Sequence, residues 1–288
     1  MIAFLAQGGL GNQLFQYAAA RSLAQRLRTE LVLDPYWFSH PVPGETARSL
    51  ELDKYPVKLR IAEADEQYRW RWLRGRVGRY LPLFSSTRLV RERGFGFNES
   101  IHQAKANSYL LGFWQSERYF AEIRETLQRE LTPLAPPSQR DEVLLQAMTA
   151  GNAVSVHVRR GDYVSSASAN AFHGVCSPDY YERAIQHVTA RVKSPILFIF
   201  SDDPDWTRAN IGTGGCPAHY VNHNTAPDAF QDLRLMSRCK HHIIANSSFS
   251  WWGAWLASHP DQIVVAPTQW FRADRPTPDL IPAHWIRL

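Results

Sequence analysis

Short apolar runs bounded by turn residues alternate along the chain with longer amphipathic stretches. The runs Ile2–Ala6, Leu31–Leu33, Ser108–Phe113, Ala153–His157, Pro195–Phe200, His219–Val221, His242–Ala245 and Gln262–Val265 have the length and the β-branched and aromatic content that predict buried strands. Between them, Asn12–Arg28, Glu117–Leu131, Gln139–Met148, Pro178–Val192, a segment near Asp205–Asn210, Ala226–Arg238 and Phe249–Ala257 read as helices. Strands separated by helices of this length imply parallel βαβ units, so the expected class is α/β. The proline density of Thr132-Pro133-Leu134-Ala135-Pro136-Pro137-Ser138 reads as an extended linker between two such halves. The expected organisation is an N-terminal α/β domain over residues 1–135, with an irregular, aromatic and arginine-rich insertion at about 36–105, and a C-terminal Rossmann-like domain over 136–288. Two Rossmann-type domains facing each other across a cleft would result. No internal repeat and no low-complexity tract is visible.

At 288 residues the chain can bury a sizeable core, and 44% hydrophobic with 12% aromatic content excludes a disordered chain. Ten tryptophans suit sugar- or base-facing surfaces as well as a core. Cys176, Cys216 and Cys239 are scattered without C-x-x-C spacing, which indicates neither a disulfide framework nor a zinc knuckle and favours a reducing compartment. The first strand runs straight into a glycine loop, leaving no room for a signal peptide, and no apolar run reaches the ~20 residues of a spanning helix. A soluble, cytoplasmic protein is expected.

Net charge is +5, and Lys54, Lys58, Lys105, Lys193 and Lys240 are the only lysines among 32 basic residues, an arginine excess that favours phosphate contacts. The densest cluster, Arg69, Arg71, Arg74, Arg76, Arg79, Arg88, Arg91 and Arg93, is interleaved with Trp70, Trp72 and Tyr80 and opposed only by Glu92. Nucleic acid would be one partner for such a patch, but no recognition motif accompanies it and none is expected to bind. Peripheral contact with the inner membrane through Arg69–Arg93, or an anionic glycolipid acceptor, accounts for it equally well, and a solvated face is the plainer alternative.

The candidate chemistry lies at strand ends, because ligands of a parallel sheet sit outside the carboxyl ends of its strands. His157-Val158-Arg159-Arg160-Gly161-Asp162-Tyr163 follows a buried strand, and its two guanidinium forks match phosphate oxygens at any working pH. A solvated charged turn is the alternative. Gly8-Gly9-Leu10-Gly11-Asn12-Gln13 joins a strand to a helix, where glycines admit close backbone approach; it lacks the third glycine of the dinucleotide fingerprint and the lysine of a P-loop. It is equally readable as a tight turn. Asp203-x-Asp205 resembles a metal pair, but Asp203 before Pro204 makes an ordinary helix cap, and no metal site is expected; Asp202 remains a candidate ligand contact. Asn246-Ser247-Ser248-Phe249-Ser250 opens a helix carrying Trp251, Trp252 and Trp255, so its serines and free amides form an anion site or simply cap a helix of core tryptophans. Asp232 reads as a surface charge or as a buried acceptor for the N1 and N2 donors of guanine.

Together these segments resemble the glycosyltransferase family 11 α-1,2-fucosyltransferases, in a bacterial form, within the wider group of GDP-fucose-using enzymes. The carriers are Gly8-Gly9-Leu10-Gly11-Asn12-Gln13-Leu14-Phe15-Gln16, Gly112-Phe113-Trp114-Gln115-Ser116-Glu117, the His157–Tyr163 segment, Phe200-Ser201-Asp202-Asp203, and Asn246-Ser247-Ser248-Phe249-Ser250-Trp251-Trp252-Gly253-Ala254. The resemblance implies a GT-B-like fold and metal-independent, inverting transfer of L-fucose from GDP-β-L-fucose to the 2-hydroxyl of a terminal β-galactoside, on an oligosaccharide or glycolipid. It needs no cofactor. By the same resemblance Arg159 looks like the essential arginine on the β-phosphate, with His157 and Arg160 beside it. Asp232 looks like the guanine reader, Ser247, Ser248 and Phe249, with Asn246 and Asp202, like the diphosphate surroundings, and Gly11 and Asn12 like the loop reaching the reacting centre. Gln13 and Trp114 fall on the acceptor side. Asp162 is the first candidate to take the acceptor's proton, or else orients an arginine, and His157 is the second. Alternatives are a fucosyltransferase of another linkage, a transferase of another GDP-sugar, or, more remotely, a non-catalytic glycan- or nucleotide-sugar-binding module.

Overall fold

The computed structural model describes residues 1–40, 46–75 and 86–288. Arg76, Arg79 and Tyr80 of the arginine cluster lie outside the described residues. The chain divides into two compact units, Met1–Thr132 with Pro276–Pro282 and Pro133–Arg275 with Ala283–Leu288. The expectation of one uninterrupted C-terminal domain thus missed that a short stretch near the end packs back on the first unit: Asp279 accepts from the Phe97 amide at 2.8 Å and from Arg118 at 2.9 Å. The proline-rich stretch is fixed on the second unit, where Gln231 donates to the Pro136 carbonyl at 2.9 Å and Arg234 to that of Pro133 at 3.0 Å.

In the first unit, β1 (Ile2–Leu5), α1 (Leu10–Arg26), β2 (Leu31–Asp34), α2 (Tyr36–Ser39), β3 (Arg60–Ile61), α3 (Ala64–Arg69), α4 (Arg71–Arg74), β4 (Arg88–Arg91), β5 (Ser108–Leu111) and α5 (Arg124–Glu130) surround an all-parallel sheet of order β3-β2-β1-β5-β4. Ile2, Ala3 and Phe4 are wholly buried, as expected of a central parallel strand covered on both faces. The region 36–105 is not merely an irregular insertion: it supplies both edge strands, β3 and β4. Neither is easily read from sequence, since β3 has two residues and β4, Arg88-Leu89-Val90-Arg91, ends in exposed arginines suited to an edge. The expected helix Glu117–Leu131 is broken into 3-10 turns at Glu117–Tyr119 and Ala121–Ile123 before α5, because Phe120, wholly buried, adopts an extended φ of −149° to reach the core.

The second unit contains α6 (Gln139–Ala150), β6 (Asn152–Val158), α7 (Gly161–Ser165), α8 (Ala167–His173), α9 (Pro178–Thr189), β7 (Pro195–Ser201), α10 (Pro204–Asn210), β8 (Ala218–Val221), α11 (Ala229–Met236), β9 (His241–Ile243), α12 (Ser248–Leu256), β10 (Val264–Ala266) and β11 (Ile286–Arg287). Its parallel sheet runs β11-β10-β9-β6-β7-β8. The chain therefore builds outward from β6 in one direction and returns to its other side with β9, the doubly wound order of dinucleotide-binding folds. The crevice lies where the winding reverses, between the carboxyl ends of β6 and β9. Trp251, Trp252 and Trp255 are buried and pack ring to ring at 5.2–6.0 Å, so they are core and not a sugar platform.

Candidate active site

The end of β6 brings His157, Arg159 and Arg160 to that crevice, and the short helix α7 turns Asp162 back onto them. Arg159 donates to Asp162 Oδ1 at 2.5 Å and to Asp202 Oδ2, beyond β7, at 2.8 Å. Burial disfavours the guanidinium's charge, but the carboxylates of Asp202 and Asp162 outweigh it and hold its pKa above the ordinary arginine value. Two ion pairs engage one amino nitrogen each, and a guanidinium has five N–H donors, so the fork is aimed and still able to bind an anion. Asp202 is the hub: its other oxygen accepts the Arg160 amide at 2.8 Å. Arg160 itself is held by Asp203 at 3.0 Å and lies 3.6 Å above the Trp206 ring. Trp206 and the Asp203 pairing were not anticipated; their signal in sequence is a polar cluster directly after an apolar strand.

The Asp203-Pro204-Asp205 segment is the helix cap expected of it. Asp203 accepts the Trp206 amide at 3.3 Å, and the Asp205 side chain is almost fully exposed. Among the described residues no three His, Cys, Asp or Glu side chains converge in a way that could hold a metal ion.

His157 is buried, and burial followed by the nearby Arg159 charge lowers its pKa to about 3. It is therefore neutral at physiological pH. Among the described residues its Nδ1 has no hydrogen-bond partner, and its ring lies 5.7 Å from that of Phe249, which ties the end of β6 to the start of α12. At that start Ser247 caps the helix, accepting the Phe249 amide at 3.3 Å, and Ser248 stands at its first turn, where unpaired amides and the helix dipole favour an anion. Asn246 faces the other way. Its amide donates to the carbonyls of His173, Gly174 and Trp270 at 3.0, 3.3 and 3.1 Å, so it organises the surrounding loops from a buried position.

Asp232, half-buried on α11, accepts from Asn224 at 2.8 Å, and burial raises its pKa to about 7. Asn224 also reaches Asp141, which His223 contacts at 2.9 Å. Hydrogen bonds from Ser138, His223 and Asn224 overcome burial and keep the Asp141 carboxyl below its ordinary range. Asp232 is thus the member of this carboxylate pair that burial leaves nearest neutrality.

In the first unit the glycine loop is a built turn. Gly8 takes φ +77°, and a β-carbon there would press on the Asn12 amide. Gln13 is wholly buried; its amide donates to the carbonyls of Gly8 at 2.9 Å and Ser49 at 2.8 Å and its oxygen accepts the Glu51 amide at 2.9 Å. Trp114 is also wholly buried, packed edge-on against Tyr119 at 5.3 Å. Neither side chain presents a surface to a sugar, so their expected acceptor contact gives way to a role in shaping the loop. Asn12 accepts from Gln115 at 2.8 Å. Glu92, at the end of β4, accepts the Phe113 and Trp114 amides at 2.7 and 2.9 Å, while burial raises its pKa to about 7. Sequence gave no cue to this buried acid within an arginine-rich stretch.

Two Rossmann-like units, each built on a parallel sheet and the second carrying a carboxylate-clamped arginine at its switch point, define a GT-B-like glycosyltransferase. The chain belongs to glycosyl transferase family 11, whose model matches residues 87–288. It is 34% identical to an alpha-1,2-colitosyltransferase of Escherichia coli, over 98% of this chain and 96% of that protein. It is likewise 34% identical to the Escherichia coli O-antigen biosynthesis glycosyltransferase WbnK, over 98% of each. Mouse galactoside alpha-(1,2)-fucosyltransferase 1 is 28% identical over 97% of this chain and 70% of its own. Among solved structures the fucosyltransferase NodZ from Bradyrhizobium superposes with a TM-score of 0.51 at 17% identity, covering 89% of this chain and 92% of that one, a likeness of fold.

Proposed function

We propose that the protein transfers L-fucose from GDP-β-L-fucose to the 2-hydroxyl of a terminal β-galactoside, inverting the anomeric centre and needing no metal. The observation that carries this is the Arg159 clamp, a guanidinium fixed by Asp162 and Asp202 where β6 and β9 diverge. Breaking the sugar C1–O bond develops positive charge on the sugar and negative charge on the departing diphosphate. Arg159 and the first turn of α12 are the fixed partners that would meet that negative charge as it grows, with no reorganisation at the moment of reaction. Asp232 would accept from guanine N1 and N2, and neutral His157 would donate a hydrogen bond to the phosphate. Asp162 is then a positioning residue for Arg159. With Asp162 ion-paired and His157 depressed to about 3, the acceptor's proton is assigned to neither.

A second donor has its own support in the alpha-1,2-colitosyltransferase relative. Colitose is fucose without its 3-hydroxyl, so a pocket for one differs from a pocket for the other at a single polar contact. The deciding experiment mixes purified protein with GDP-fucose or GDP-colitose, EDTA and a panel of galactosides, and reads the product linkage by NMR. Fucosyl α-1,2-galactoside formed in EDTA supports the first reading; product from GDP-colitose alone replaces it with the second; no transfer from either overturns both.

A further inference from the structure

The stretch between Glu66 and Glu92 contains no acidic residue, yet carries Arg69, Arg71, Arg74, Arg76, Arg79, Arg88 and Arg91 among five aromatic side chains. Where it is described it is two-faced. Trp70 and Leu73 point inward to the first unit's core beside Tyr109 and Leu111, while Tyr68 and Trp72 point outward, 65% and 52% exposed. Two large rings left in water on the successive short helices α3 and α4 lack the usual reason for an aromatic residue, which is burial. Arg71 lies over both, its guanidinium 3.6 Å from the Tyr68 ring centre and 4.8 Å from that of Trp72. It donates to the Tyr68 carbonyl at 2.7 Å and meets no carboxylate among the described residues. Arg91 donates to the Gly75 carbonyl at 3.3 Å, which sets the exposed arginine end of β4 beside the end of α4.

Glu66 is paired with Arg60, Asp65 with Arg69, and Asp34 with Arg74, the last pair buried. What remains outward is rings flanked by arginine.

We propose that this face docks on an anionic phospholipid surface, with Tyr68 and Trp72 seated at the headgroup level and Arg71 and Arg91 over the lipid phosphates. Amphipathic rings prefer that depth, where the apolar body leaves water and the polar tip does not. Arginine near an anionic leaflet adds an attraction that falls off within a Debye length, roughly 8 Å at physiological salt, so arginine must lie close to the rings, as Arg71 does over both. Such docking would hold the enzyme where a lipid-linked galactoside is presented.

The test is sedimentation of the whole protein with phosphatidylcholine vesicles, with and without phosphatidylglycerol. Binding is expected with phosphatidylglycerol, falling as salt is raised. The double variant Tyr68→Ser/Trp72→Ser should weaken it severalfold, and Arg71→Glu by more than the roughly fivefold that one lost arginine contact implies. Turnover on a soluble galactoside, unchanged in both variants, reports that they fold. Wild-type protein left in the supernatant with phosphatidylglycerol, variants that sediment as the wild type does, or retention of an oligonucleotide in place of vesicles would each overturn the proposal.

Discussion

Gly161 lies so close to the carboxylate of Asp202 that a β-carbon at position 161 would collide with Oδ2. That oxygen is the one bonded to Arg159, and its partner oxygen holds the Arg160 amide, so the carboxylate has no free rotation with which to yield. The glycine is what lets the aspartate stand between the two arginines. Gly161→Ala is accordingly expected to lower turnover at least tenfold, about 1.4 kcal/mol, with a melting temperature near that of the wild type. Steady-state kinetics beside a thermal melt would decide; full activity in a folded Gly161→Ala protein contradicts the hub role of Asp202.

Arg159→Ala should reduce turnover by ~10²–10³-fold, about 3–4 kcal/mol, the usual cost of losing one fixed donor to developing charge. Arg159→Lys should not restore it, because a point charge cannot hold two carboxylates and an anion in one plane. Retention of a tenth of wild-type turnover by the alanine variant refutes the role.

Asp162→Asn separates positioning from proton removal. A charge-assisted hydrogen bond contributes about 1.5–3 kcal/mol, so kcat/KM for the donor should fall ~10–100-fold while the pH profile keeps its shape. Loss of the acidic limb of that profile in the variant would instead make Asp162 the base.

Gln13→Ala removes three buried hydrogen bonds and should destabilise the fold by about 3 kcal/mol, seen as a lower urea midpoint. The acceptor KM of the folded enzyme should change little. A large rise in acceptor KM with unchanged stability would return Gln13 to the sugar.

Glu92 supplies a pH test. Its folded pKa of about 7 exceeds the ordinary 4.5, so the folded protein binds the proton more tightly than the unfolded chain does. Its contribution is fully present below pH 4.5 and is lost as pH rises through 7, by up to about 3 kcal/mol. Buried His157 and His242, both lowered to about 3, act in the opposite sense, since the unfolded chain takes up their protons on acidification. The comparison must therefore be between wild type and Glu92→Gln, which keeps an acceptor for the Phe113 and Trp114 amides. The variant should gain stability relative to wild type from pH 5 to pH 8 in urea unfolding; parallel curves would place an ordinary carboxyl at position 92.

The alternation of strands and helices was legible because burial on both faces of a parallel sheet leaves continuous apolar runs such as Ile2–Leu5 and Pro195–Ser201. The edge strands β3 and β4 were not, because an edge has little to bury and so leaves little apolar signal. The arginines after β6 were legible for the same local reason, charge directly following a buried run. Gln13 and Trp114 were misread because a polar or aromatic residue inside a motif looks alike whether it faces a ligand or braces the turn that does.

By itself, then, the amino-acid order determined the class of fold, the strand ends that carry charge and the family, since periodicity, turn residues and motifs are properties of neighbours along the chain. Only the folded molecule decided which charges meet. Asp202 reaches Arg159 because β7 lies beside β6, and α12 faces His157 because β9 lies on the other side, adjacencies fixed by sheet order and absent from any local stretch. The same packing decided which acids and imidazoles lose their charge, because desolvation depends on what the rest of the chain places around them.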